Sequence, residues 1–287
     1  MRTPLLFLLP AFLLCAAAAG AGTSTLTAAE GYACMGYDKS RKQTEDEALA
    51  NARKNAVEFA AVHIRSQAEY RDSLLQEDLL QAFAAGRATI LEVLESSWYQ
   101  DPRSGDCYRL KVWAEVVPDE VALEKAAQGK PLADDPTAPL QVKAWTDRPE
   151  YREGEHLKVY LRANKPFHGR VVYLDAAGQP VQLLPNPHRS DHYFQGGVTY
   201  EIPAGGDRFD LKVQPPFGSE RVTVYASTAE LGGLEVEEAG GVYAVRNRGA
   251  DIGARTRGIA VTLKQGAAGT AAAAEFSEAS AELATRP

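Results

Sequence analysis

Two histidines and an aspartate crowd one short stretch, His188-Arg-Ser-Asp191-His192. Two imidazoles and a carboxylate form a donor set that zinc accepts, with a fourth position left for water. A spacing of four brings both rings to one side only on a helix. Pro185 and Pro187 mark this stretch as loop. A solvated polar loop is therefore the expectation, with no metal and no other cofactor. The three cysteines offer a second chemistry. None stands in a Cys-x-x-Cys pair, so a redox dithiol is not indicated. Also missing are a Gly-x-Ser-x-Gly elbow, a phosphate-cradling loop, a dinucleotide fingerprint and a His-Glu-x-x-His pair. No catalytic residue is assigned, and the chain is expected to work without catalysis.

The elements that must position such groups begin after a leader. Residues 1–21 read as a secretory signal peptide: Arg2, an apolar run from Leu5 to Leu14, then small residues at Ala19-Gly20-Ala21. The run is too short to span a bilayer. Cys15 would be the lipidated residue of a lipoprotein, but Leu14 stands where a small residue is needed. Export to the periplasm or cell envelope is expected, with membrane association only if Cys15 is lipidated. Cys34 and Cys107 then remain, and in an oxidising compartment they are expected to form one disulfide. Closing so long a loop stabilises by about 4 kcal/mol on the chain-entropy model. Beyond residue 21 there are 30 basic and 38 acidic residues, a net charge of −8. Such a balance gives no overall attraction to nucleic acid.

The 287 residues allow about two domains. Residues 29–129 read as an α+β unit. A strand over Gly31–Tyr37 precedes a capping box at Thr44–Glu47 and a long helix to about Tyr70. Ala48, Ala52, Ala56 and Ala60 form a stripe that lets a helix lie close to a sheet. A shorter helix, Leu74 to Ala85, stops at Gly86. A hairpin of Ala88–Tyr99 and Cys107–Val117 follows, turning at Asp101–Asp106, and Pro118 opens a last helix. With its Gly-Tyr-Ala entry, alanine-rich helix and closing strand Tyr108–Val116, this order resembles the N-terminal domain of flagellar assembly protein T and related small envelope lipoprotein domains. The resemblance implies a non-catalytic assembly or scaffolding domain.

Residues 130–139 are a Pro- and Asp-rich linker. From Leu140 apolar and polar residues alternate: Leu140, Val142 and Ala144, then Leu157, Val159 and Leu161. A period of two with Gly and Pro turns predicts short antiparallel strands, one face buried, over 140–265. The spine comprises Trp145, Tyr151-x-x-Gly154-Glu155, Leu184-Pro185-Asn186, Pro203 and Gly218. It is similar to a bacterial exported family known only as a domain of unknown function. That resemblance implies an all-β immunoglobulin-like sandwich without an established activity. The spine residues read as structural, with Gly154 in a tight turn and Glu155 accepting its backbone amides. Val242–Val245 and Ile259–Leu263 read as late strands. Arg246, Arg248, Arg255 and Arg257 read as a solvated basic loop, and residues 266–287 as a disordered tail. The expected function is that of an accessory, scaffolding or assembly factor binding other envelope proteins. A ligand- or polysaccharide-binding module is the alternative, and a metal-dependent hydrolase at His188, Asp191 and His192 stands third.

Overall fold

Close approach of a helix to a strand sets the N-terminal half. In the computed structural model, which describes residues 22–67, 73–126, 132–247, 249–258 and 273–287, the first strand is β1 (Gly22–Cys34). Helix α1 (Arg41–Gln67) crosses it with Ala48, Ala52, Ala56, Ala60 and Ile64 turned inward and buried. Gly31 receives that stripe: a Cβ there would overlap the Ala48 carbonyl oxygen and sit 2.5 Å from the Ala52 nitrogen. The helix starts one turn before the expected capping box. Ser40 Oγ accepts the Gln43 amide, and Gln43 Oε1 accepts the Ser40 amide, the reciprocal arrangement that satisfies two orphan donors. Thr44 already lies inside the helix and donates to the Ser40 carbonyl. Then come α2 (Ser73–Ala84), β2 (Arg87–Asp101), β3 (Gly105–Val117) and α3 (Glu120–Ala126). β2 and β3 form the expected hairpin, and Leu110, Val112, Ala114 and Val116 face α1.

The remaining elements are β4 (Val142–Thr146), β5 (Glu150–Arg152), β6 (Val159–Ala163), β7 (Phe167–Leu174), β8 (Pro180–Leu184), β9 (Tyr193–Phe194), β10 (Tyr200–Ile202), β11 (Ser219–Ser227), β12 (Val236–Ala239), β13 (Val242–Val245), α4 (Gly249–Arg257) and β14 (Ala273–Arg286). The chain is thus mixed, with few helices and mostly antiparallel strands in a curled, sandwich-like sheet. The large sheet runs β12-β13-β8-β7-β11-β14-β1-β3-β2, and β10-β6-β4 form a small second one. Leu140, Val159, Leu161, Phe167, Leu184 and Val224 belong to the core packed between them.

Two expectations give way here. Residues 266–287 were expected to be a disordered tail, yet Ala273–Arg286 is an inner strand. It pairs with β1 through Gly22–Thr27 on one side and with all of β11 on the other. Ala274–Ser277 is buried on both faces while Glu278, Ser280 and Glu282 stand on a more open one, and with small and acidic residues at these places no clean alternating apolar signature results. The sheet therefore passes without a break from the first half of the chain to the second. The linker segment is itself bound. Asn164 Nδ2 donates to the carbonyls of Asp135, Ala138 and Pro139, and the Leu140 amide donates to Glu275.

The basic stretch is also not a free loop. Arg257 on α4 pairs with Glu115 and Glu278, while Arg255 pairs with Glu235 and Arg246 with Glu237. The signal segment with Cys15, Arg248 and the strand expected at Ile259–Leu263 lie outside the described residues. No helix among the described residues is long and apolar enough to cross a membrane.

Candidate functional site

Pairing register decides which side chains share a face. Across β1, β3 and β2 the rows are Glu30–Lys111–Glu95, Tyr32–Arg109–Ser97 and Cys34–Cys107–Tyr99. All three rows lie opposite α1. At the other end of this face, Leu26 and Trp113 are buried with Val245, Ile252 and Phe276. There Arg257 at the end of α4 accepts the Trp113 indole N–H on its carbonyl. Past that cover the face opens into a concave groove of about 670 Å³. Tyr32 is 65% and Tyr99 38% exposed. Arg109 donates to Ser97 Oγ at 3.1 Å, and its guanidinium carbon lies 5.8 Å from the Tyr99 ring centroid.

The same groove ends at a sheet edge. Among the described residues no strand pairs with the outer edge of β2. Its middle is bulged between Ile90 and Glu92 and again between Val93 and Glu95, which blunts an edge against indiscriminate pairing. The arm Glu95–Asp101 is regular. β1 is managed differently: beyond Thr27, where β14 leaves it, Asn51 and Asn55 of α1 donate to the Tyr32 and Glu30 carbonyls. The disulfide Cys34–Cys107 joins directly paired residues of β1 and β3 at the rim of the groove. Tyrosine and arginine on a shallow, mixed-charge surface are contact chemistry, of the composition found at protein interfaces.

The spine residues do structural work. Tyr151 is buried, and its hydroxyl donates to Asp147 at 2.6 Å; burial and this carboxylate push the phenol up to about 12. Gly154 takes φ +82°, a left-handed conformation that glycine adopts freely. Glu155 accepts the Arg152 amide and the Arg148 guanidinium. Asn186 is buried, accepting the His188 and Arg189 amides and donating to the Leu183 carbonyl. The Thr285 amide donates to the Gly218 carbonyl, and the Gly218 amide donates to the Thr285 hydroxyl. Leu184 is in the core, Pro185 and Pro203 follow β8 and β10, and Trp145 stacks on Tyr160 at 5.8 Å.

The weaker candidate, a donor set of His188, Asp191 and His192, is not assembled. His188 lies against Gly241 and Phe209. Asp191 accepts the Tyr193 amide. His192 instead meets His168 and Glu230, whose ligand atoms all lie within 4.8 Å of one another. No local spacing signals this group, because strand pairing brings it together: Gly169 N–H donates to the His192 carbonyl, and His168 pairs with Ser227, three residues before Glu230.

One charged group sits deep inside. Glu275 on β14 receives Lys165 Nζ at 2.6 and 2.8 Å and lies 3.6 Å from His63 of α1. Burial alone would raise this carboxyl; His63, Lys165 and the Leu140 amide outweigh burial and hold it below the usual range. Arg170 is likewise buried, which pushes it down to about 10, while it donates to the Gly232 carbonyl and Thr256. These groups clamp elements together.

Residues 150–230 match a family model described as Domain of unknown function (DUF4384). No curated protein matches the chain. The DUF4384 match spans β5 to β11 and the turn to Glu230. It holds every spine residue but Trp145, and it holds His168 and His192. The groove on β1, β3 and β2 lies outside it.

Proposed function

We propose that this protein is an exported, non-catalytic component of the cell envelope. It acts as an accessory, scaffolding or assembly factor that binds another envelope protein. The observation that carries the reading is the half-covered sheet face: α4 closes one end, and Tyr32, Tyr99 and Arg109 stand open at the other beside an unpaired strand arm. A partner segment laid along Glu95–Asp101 gains backbone hydrogen bonds from the edge and side-chain contacts from the groove. Three further features support the reading. The leader-like residues 1–21 fit export. The disulfide fits an oxidising compartment. The likeness of residues 29–127 to the flagellar assembly protein T domain fits assembly work, and the second half fits an immunoglobulin-like sandwich of the kind used as a spacer or adaptor.

The test is a crosslinking pull-down from envelope fractions with the wild-type chain and with Tyr32→Ala/Arg109→Ala. The expected result is a partner held by the first and lost by the second, at unchanged melting temperature. A wild-type chain that recovers no partner, or a variant that keeps it, sinks the proposal. Polysaccharide binding is the second reading, favoured by the half-exposed Trp145 stacked on Tyr160. A glycan array bound by the wild type and not by Trp145→Ala would promote it above the first.

A further inference from the structure

His168 is the second residue of β7, and His192 directly precedes β9, a strand that pairs with β7. Glu230 comes from the turn after β11, which pairs with β7 on its other side. Three separate segments thus deliver two imidazoles and a carboxylate to one point. Glu230 Oε1 lies 3.3 Å from His168 Nδ1, and Glu230 Oε2 lies 3.4 Å from His192 Nε2. Ligands on a tetrahedral zinc, at bond lengths of about 2.0–2.1 Å, stand about 3.4 Å apart. The two Glu230–histidine separations fit that figure, and all three ligand atoms lie within 4.8 Å of one another.

Two details favour a metal over a simple ion pair. His192 Nδ1 lies 2.9 Å from the Ser190 carbonyl. A proton on Nδ1 serves that bond and leaves the Nε2 lone pair turned toward Glu230, the outer-sphere arrangement that orients metal-binding imidazoles. His168 Nδ1 is sealed from solvent and makes no aligned hydrogen bond, although the Glu230 carboxylate is near. Proximity without alignment is what a donor aimed at a shared ion shows; it holds for His168, whereas His192 Nε2 meets Glu230 Oε2 at hydrogen-bond distance, a contact that an ion would replace.

We infer that His168, His192 and Glu230 bind one zinc ion. Imidazole and carboxylate donors suit a borderline divalent metal better than calcium or magnesium. Glu230 is 66% exposed, so the fourth position faces solvent and takes water. The ion ties the Thr228–Glu235 segment to β7 and β9. This inference is independent of the protein-binding groove, which sits on other strands.

The test is calorimetric titration of tag-free, chelator-stripped full chain with zinc chloride. One zinc per chain is expected. Glu230→Gln and His192→Ala should each weaken binding by at least about tenfold, with an unchanged circular dichroism spectrum. His188→Ala and Asp191→Ala should titrate like the wild type. Cobalt substitution should give the visible absorption of a tetrahedral site. A wild type that binds no zinc, or the same stoichiometry and affinity in Glu230→Gln and His192→Ala, overturns the assignment.

Discussion

Glycine at position 31 works by having no side chain. The α1 backbone occupies the space a methyl group would need, so Gly31→Ala must push the helix off the sheet. Overpacking of this kind costs about 3 kcal/mol, and more where backbone is struck. Urea unfolding should show the midpoint falling accordingly, and an unchanged midpoint would mean the helix is not seated so closely. Glu275 makes a prediction about acid. Its folded carboxyl is held below the ordinary range, whereas in the unfolded chain it titrates normally. On acidification the unfolded state takes the proton first. The stability it contributes is therefore present above the ordinary carboxylate value and is lost as pH falls through the lowered folded value. Unfolding free energy measured from pH 6 down to pH 2 should fall less steeply for Glu275→Gln than for the wild type. Of these residues, the alanine stripe facing Gly31 was readable from its four-residue spacing. Glu275 was not, because it stands in a stretch of Ala, Ser and Glu whose partners lie far away in the chain.

At the level of elements, local chemistry was readable and distant pairing was not. The β2–β3 hairpin announces itself by alternation and by a turn in which Asp101 accepts the Arg103 and Ser104 amides. Helix α1 was expected from its apolar stripe, but its start was set one turn late, because Ser40-x-x-Gln43 caps as well as Thr44-x-x-Glu47 can. The consequence is measurable: Ser40→Ala should cost about 1 kcal/mol, while Thr44→Val, which removes only a bond inside the helix, should cost less. The reverse order in thermal melts would restore the later cap. Helix α4 escaped sequence reading because glycine and arginine dominate it; ion pairs to Glu115, Glu278 and Glu235 and the buried Ile252 hold it down.

For the whole molecule, composition and length pointed to two units joined by a linker, and the strands do not respect that division. β14 bonds to β1 from the start of the chain and to β11 from its later part. One cooperative melting transition is expected in calorimetry. Removal of Ala273–Arg286 should abolish it for both halves; a truncated chain that retains a native-like transition for residues 22–126 would show that this half stands alone. The His168–His192–Glu230 group was invisible in the sequence for the same reason that β14 was. Partners separated by dozens or hundreds of residues leave no periodic trace.

The late position of β14 also bears on how the polypeptide comes into being. During synthesis, everything up to residue 272 emerges before the piece that lies between β1 and β11 exists. Until that stretch is delivered, β1 and β11 each lack the neighbour that joins them into one sheet.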